Sequence, residues 1–382
     1  MTTWAEVNLT AIKSNAQAIQ KFIRRSGESF CPVNLIAVLK ADAYGHGAIP
    51  VAQTLRDVTE MFAVATVEEA IELRDAGIEI PILVLFNAAA DEAEEIVRYQ
   101  LVPSVSESTL CKKLSYVART LNQNVRVHVD VDTGMNRGGV RYTDAARFVQ
   151  WLTSLCGIVV EGLFTHFATA GETDKSYAQL QLARFKSVIS ELFQLNLRPP
   201  MVHAANSAAT LTLPEAHFDA VRVGLSLFGI HPIPDHSATG APCATRLRPS
   251  LSWKSRVIYV HEAGPGESVG YGRTYKTNRP MRLATLRVGY ADGYTRSLSN
   301  QGEALIGGIR RRSAGEICMD ETVFEIDSPG NVSIGDEAVL IGMQGTEEIT
   351  ADQVAVRAGT IAYEILTGIG NRVRRVYVED PE

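Results

Sequence analysis

The residue most able to do covalent chemistry is Lys40, in the stretch AVLKADAYGHG, where an apolar run ends and a glycine-rich turn, Gly45-His46-Gly47, begins. An amine held partly out of water loses basicity and can attack a carbonyl to form an imine, which a fully solvated lysine does poorly at neutral pH. The competing reading is an ordinary surface lysine after a strand. Other polar residues also stand at the ends of apolar runs: Asp132, Met135 and Arg137 in VDVDTGMNRGG, Thr165 and His166 in LFTHFATA, His203, Asn206 and Ser207 in HAANSAA, and Arg222 just before Gly224. For each histidine taken alone, a hydrogen-bonded structural role competes with a functional one. Asn206-Ser207 and Arg222-Val223-Gly224-Leu225 offer a hydroxyl and backbone N–H groups of the kind that cradle phosphate after the last strands of a barrel. No GxxxxGK[ST] loop, H-E-x-x-H pair or Cys/His ligand spacing occurs, so a metal centre is not expected. An imine-forming lysine together with a phosphate cradle points to pyridoxal phosphate.

These side chains converge only if the elements beneath them do. From residue 33 to residue 223, eight short apolar runs alternate with segments of helical periodicity. The runs are VNLIAVLK (33 to 40), MFAVA (61 to 65), PILVLF (81 to 86), LVPSV (101 to 105), VRVHVDV (125 to 131), IVVEGLFTH (158 to 166), MVHAA (201 to 205) and DAVRV (219 to 223). Eight consecutive βα units predict an α/β fold, a closed eight-stranded parallel (β/α)8 TIM barrel, with an open sheet as the alternative because the last units are short. In a barrel the chemistry-bearing residues would share the rim at the strands' carboxyl ends. Before the first run, Leu9, Ile12, Ala16, Ile19 and Ile23 fall on one helical face and would cover the barrel wall.

Around residues 231 to 250 the rhythm breaks into a Pro-, Ser- and Thr-rich linker, which puts a domain boundary near residue 240. A barrel domain over 1–240 and a β-rich carboxyl-terminal domain over 241–382 follow. The second is built from SWKSRVIYV, MRLATLRVGY, TVFEIDS and EAVLIGM, with helix expected only over residues 352 to 367. TWAEVNL, within residues 1–9, alternates like a strand and would pair with that later domain. At 382 residues, two domains is the expected count, with three as the alternative. The 46% hydrophobic and 21% charged composition excludes disordered, collagenous and coiled-coil classes. A net charge of -6 gives no electrostatic case for nucleic acid or an anionic membrane. Five cysteines, an odd number with no CxxC pair, fit reduced thiols in the cytoplasm. Neither a signal-peptide order at the amino terminus nor an apolar window of membrane-spanning length is present.

In both halves and in order, the chain resembles the bacterial alanine racemases. AVLKADAYGHG looks like the family's cofactor-lysine motif, and DTGMNRGG, THFATA, HAANSAA, GYG, GYADGY and EICMD follow at matching places. The resemblance implies pyridoxal phosphate on Lys40 and a head-to-tail homodimer in which the second domain of one copy completes the other's site. It implies Lys40 as the base for one alanine enantiomer and Tyr271 of the partner copy as the base for the other, with His166 and His203 in the hydrogen-bond chain that supports the tyrosine. Racemisation suits two bases, because a proton leaves one face of Cα and another returns on the opposite face.

By the same match Arg222 would face the cofactor's ring nitrogen, and Tyr44, Ser207, Tyr363 and the backbone of Gly224 and Leu225 would hold the phosphate. Arg137 would orient the cofactor's phenolic oxygen and the substrate carboxylate, and Tyr290 and Met319 of the partner copy would line the substrate pocket and its access. The implied activity is interconversion of L- and D-alanine in the cytoplasm, supplying D-alanine for the cell wall. The alternatives are a serine or broad-spectrum racemase, a non-catalytic pyridoxal phosphate carrier, or a decarboxylase of similar architecture, the last disfavoured by Arg222. Two departures stand out. Asp130 occupies a place where many family members have a carbamate-bearing lysine that holds the arginine matching Arg137, so either a shifted Asp130–Arg137 contact or a water or anion in the gap is expected. Val223 stands where proline is common.

Overall fold

The computed structural model describes residues 2–26, 32–233, 247–327 and 331–380. Cys31, Cys243 and the boundary expected near residue 240 lie outside the described residues. The chain groups into two compact units, one of Ile12–Ala43 and Ala48–Arg248, the other of Met1–Ala11, Tyr44–Gly47 and Pro249–Glu382.

In the first unit all eight apolar runs are strands: Asn34–Val38, Met61–Val64, Ile82–Val84, Val102–Val105, Val125–Asp132, Ile158–Phe164, Met201–His203 and Ala220–Val223. Each pairs in parallel with the next, and the eighth returns to the first in the register Ala220↔Asn34 through Val223↔Ala37. The sheet therefore closes into a barrel. Closure removes both edges, so the strands meet side chains on their inner and outer faces and most read as near-continuous apolar runs, the fifth, VRVHVDVD, alternating instead.

The helix Leu9–Ser26 buries Ile12, Ala16, Ile19 and Ile23 completely. Asn15, buried on the same face, donates from Nδ2 to the carbonyls of Leu227 and Arg248 and accepts from the Arg248 N–H. A buried amide satisfied on both its oxygen and its nitrogen ties the helix to the chain that leaves the barrel.

One element reverses the usual hand. Lys40–Gly45 is a single helical turn in which Ala41, Asp42, Ala43 and Tyr44 have φ of 53°, 52°, 52° and 55°. A left-handed turn brings Cβ against the following carbonyl and costs about 1–2 kcal/mol for each non-glycine residue. Side chains and backbone hold it: the Ala41 N–H donates to Glu69 Oε1 at 2.6 Å, the Ala43 N–H to the Leu39 carbonyl at 2.8 Å, and Asp42 Oδ1 accepts from the Ala48 N–H at 2.6 Å.

The second unit is a β-structure. Its main sheet runs Ile309–Arg312, Glu303–Ile306, Glu337–Gln344, Leu251–Ala263, Thr3–Asn8, Arg374–Val378, and Met281–Leu286 pairs with Leu251–Ala263 and with Thr322–Glu325. The strand Thr3–Asn8 lies between Leu251–Ala263, antiparallel, and Arg374–Val378, parallel. The unit holds more strands than the four apolar runs of the sequence indicate, and the region from 352 to 367 is two helices, Ala351–Ala358 and Ala362–Thr367, separated by Gly359 in the left-handed region. No helix among the described residues is long and apolar enough to cross a membrane.

Candidate active site

At the carboxyl ends of the barrel strands the structure gathers Lys40, Asp130, Arg137, His166, His203, Ser207, Arg222, Gly224 and Leu225. Lys40 follows the first strand, and its Nζ lies 5.3 Å from the centre of the Phe86 ring. The Arg137 guanidinium stands over the same ring at 5.1 Å. One aromatic ring thus borders two cations, an arrangement that offsets part of the cost of placing like charges together. Burial lowers the Lys40 pKa and the positive charge of Arg137 lowers it further, while Glu69 pulls the other way and Arg222 adds a smaller push down. This is the physical condition for a reactive amine. Phe86 was not singled out from the sequence, although it follows the third strand as Lys40 follows the first; a strand-end aromatic reads as core.

Arg222, on the eighth strand, is 4% exposed. Its Nη1 donates to His203 Nδ1 at 2.9 Å and to the His203 carbonyl at 3.2 Å. Nη2 donates to the Thr165 carbonyl at 2.8 Å, with His166 Nδ1 at 3.2 Å and the Ala204 carbonyl at 3.3 Å also in reach. Among the described residues the Nε–H has no acceptor, and no carboxylate pairs directly with this arginine. Desolvation brings its pKa down to about 10, against an opposing attraction to Asp130, and it stays charged at neutral pH. His166 goes the other way in charge: burial first, then Arg222, Arg137 and Lys40, push its pKa down to about 3. A neutral His166 that accepts on Nδ1 carries its proton on Nε2.

Asp130 sits near the end of the fifth strand. Burial raises its carboxyl to about 6 despite the attraction of Arg222 and Arg137. No direct ion pair joins it to Arg137, whose guanidinium lies over Phe86 instead. The loop closes tightly over Asp130 at Gly139 (φ 99°), where a Cβ would stand 2.8 Å from the Asp132 N and 3.2 Å from Asp130 Cγ. Asp132 shapes that loop by accepting from the Gly134 and Asn136 N–H groups at 2.9 and 3.0 Å. Ser207 begins the short helix Ser207–Thr212, and its Oγ accepts from the Gly224 N–H at 3.1 Å, just before the turn Leu225–Phe228.

The remaining expected site residues belong to the second unit. Tyr44 and Tyr363 face one another with ring centres 6.0 Å apart. Tyr271 is 71% exposed, in a tight turn where Gly270, Gly272 and Arg273 all have positive φ. Tyr290 and Met319 are 42% and 52% exposed. Their loops are stitched together: the Tyr290 N–H donates to the Cys318 carbonyl and the Ala291 N–H to the Met319 carbonyl, both at 3.0 Å. Arg372 clamps the pair, reaching Asp292 Oδ1 at 2.7 Å, Asp292 Oδ2 at 3.1 Å and Asp320 Oδ1 at 2.7 Å. Glu316 pairs with Arg296 and lies beside Gly272. The clamp was missed from sequence, because its three charges lie in separate segments and read as solvated surface.

A closed parallel barrel with a partly buried amine on its rim, followed by a β-rich unit, defines a two-domain barrel enzyme. A family model described as "Alanine racemase, N-terminal domain" matches residues 7–232, and one described as "Alanine racemase, C-terminal domain" matches residues 250–377. An alanine racemase from Halothermothrix orenii is 43% identical over 376 residues, spanning 98% of this chain and 96% of the relative. A solved alanine racemase from a D-cycloserine-producing Streptomyces lavendulae superposes with a TM-score of 0.92 at 35% identity, covering 100% of this chain and 98% of that one. One from Bacillus anthracis, solved with bound L-Ala-P, gives a TM-score of 0.91 at 34% identity, covering 100% and 96%. This chain belongs to the alanine racemase family, which is pyridoxal phosphate-dependent.

Proposed function

We propose that this protein interconverts L- and D-alanine with pyridoxal phosphate held by Lys40. The observation that carries the reading is the cationic rim: the charges of Arg137 and Arg222 act on Lys40, and among the described residues neither arginine has a direct carboxylate partner and the Arg222 Nε–H has no acceptor. That donor set fits a ligand bearing phosphate, a phenolic oxygen and a basic ring nitrogen. Ser207, the backbone of Gly224 and Leu225, Tyr44 and Tyr363 would take the phosphate, Arg222 the ring nitrogen, and Arg137 the substrate carboxylate. When bound, pyridoxal phosphate supplies an electron-withdrawing system that makes the substrate's Cα proton removable.

The chain's own residues do the rest. Lys40 Nζ, its basicity depressed, takes or returns the proton on one face of Cα. Tyr271 Oη of a second copy serves the other face, and its exposure, with that of Tyr290 and Met319, is what a surface completing a neighbour's site would show. A phenol near pKa 10 needs help to ionise, and the Nε2–H that geometry assigns to neutral His166 is a donor able to stabilise a phenolate. Arg222 would donate a hydrogen bond toward the ring nitrogen while keeping its own proton, since a guanidinium stays charged at neutral pH. Asp130 contributes negative charge near Arg137 through space rather than by direct pairing. A head-to-tail homodimer acting in the cytoplasm and supplying D-alanine for the cell wall completes the proposal, and the free thiols Cys111, Cys156 and Cys318 agree with a reducing compartment.

The test is proton NMR of the protein with L-alanine in deuterium oxide, with chiral analysis of the product. Loss of the Cα–H signal alongside D-alanine formation is expected for the parent and not for Lys40→Ala. Bound cofactor with a persistent Cα–H would refute the alanine assignment.

A further inference from the structure

Behind Arg222 a line of side chains leads away from the rim toward the amino end of the fifth strand. His203 Nδ1 accepts from Arg222, His203 Nε2 lies 2.8 Å from His128 Nδ1, and His128 Nε2 lies 3.5 Å from Glu161 Oε2. Glu161 Oε1 in turn meets Arg126 Nη1 at 3.0 Å, at the amino end of the fifth strand. Both imidazoles are fully buried. Among the described residues His128 Nε2 and Glu161 Oε2 are buried with no closer hydrogen-bond partner, and each is the group nearest to satisfying the other.

The two ends dictate every proton between them. A guanidinium only donates and a carboxylate only accepts. His203 must therefore accept on Nδ1, which puts the proton of its neutral ring on Nε2 and makes it the donor to His128 Nδ1. His128 then carries its proton on Nε2, aimed at Glu161. A second proton on His203 would set N–H against N–H at Arg222, and one on His128 would do the same at His203. The rings are also fixed mechanically. Phe164 stacks on His203 at 5.1 Å and 6°, and the Arg222 guanidinium covers Phe164 at 5.1 Å. His128 occupies the space over Gly162, where a Cβ would come within 2.4–2.5 Å of Nδ1, Cε1 and Cγ. The pairing of strands five and six shifts register between Val127 and His128.

We propose that Glu161 is a positioning residue for the racemase: through His128 and His203 its carboxylate fixes both histidine tautomers and thereby the orientation of Arg222, leaving the Nε–H directed to the ligand. This deepens the function proposed above and rests on Arg222 facing the cofactor ring nitrogen. Glu161 lies two rings away from Arg222, toward the amino end of the fifth strand, and acts only through those rings. A carboxylate behind a histidine sets that histidine's tautomer and strengthens it as an acceptor, and losing such a partner commonly costs tenfold or more in function.

The experiment compares Glu161→Gln and Glu161→Leu holoenzymes with the parent at one pH. It reads the ring 15N shifts of His128 and His203, the absorption spectrum of the bound cofactor, and kcat and KM for alanine. Expected are single Nε2–H tautomers for both histidines in the parent, mixed tautomers at His128 in the Gln variant, a shifted cofactor spectrum in both variants, and kcat lower by about tenfold at nearly unchanged KM. If the Gln variant folds, keeps parental tautomers, spectrum and kcat, and differs only in melting temperature, Glu161 is merely structural and the inference fails. Changed tautomers with an unchanged spectrum would overturn the link from Glu161 to the ligand. A parent that racemises no alanine would instead refute the underlying function, which separates the two failures.

Discussion

Asp130→Asn tests how the rim balances burial against charge. Burial raises this carboxyl from 3.8 to about 6 even with Arg222 and Arg137 pulling the other way. An acid whose folded pKa lies above its unfolded one binds its proton more tightly in the folded state, so stability falls as pH rises through the interval between the two values. Below about pH 4 both states are protonated and the residue is neutral in effect. Above about pH 6 both are ionised and the full penalty applies, which at 1.36 kcal/mol per unit comes to about 3 kcal/mol. Asparagine keeps the shape and removes the charge, so the variant should be more stable than the parent by up to about 3 kcal/mol at pH 8, with the gap closing as pH approaches 4. For a unit of this size that is on the order of 6–12 °C in melting temperature. The assay is calorimetric melting of both proteins across that pH range with cofactor saturating throughout. A variant that melts below the parent at pH 8 would show that attraction to the two arginines outweighs desolvation, and the reasoning would be wrong.

Two further outcomes follow from packing. Gly162→Ala pushes a methyl into the His128 ring and should cost about 1–3 kcal/mol in denaturant unfolding while lowering kcat, because the ring must leave its partner His203. Full activity with parental stability would mean the strand yields easily at this point. Arg372→Leu removes the clamp between the Asp292 and Asp320 loops and should raise KM for alanine with a smaller change in kcat and little change in melting temperature; steady-state kinetics with an unaltered KM would contradict a role in holding Tyr290 and Met319.

The barrel was legible because closure imposes its own signature. The runs are rich in apolar residues, most of them apolar on both faces, and each became a strand in its expected place. The rim residues followed from their positions at strand ends. What escaped did so for physical reasons. His128 sits among valines in VRVHVDV and looks like an isolated core histidine; only the neighbouring strands reveal that it touches His203 and Glu161. Strands such as Ile309–Arg312 and Arg374–Val378 carry several arginines, which hid their periodicity. The stretch after Lys40, with Ala41, Asp42 and Ala43, has the composition of an ordinary right-handed helix start, and nothing in it announces the reversed hand. Asp130 was recognised as a departure, but the position of Arg137 over Phe86 required coordinates.

That reversed turn also bears on when Lys40 acquires its reactivity. Four consecutive non-glycine residues with positive φ are disfavoured in an isolated segment by several times the thermal energy, at about 1–2 kcal/mol apiece. The Glu69 carboxylate that anchors the turn arrives from another βα unit. A nascent or unfolded chain therefore has no means to hold this geometry, and its lysine behaves as any solvated amine. The nucleophile comes into being only with the finished barrel, so capture of a reactive aldehyde is deferred until the protein that can use it exists.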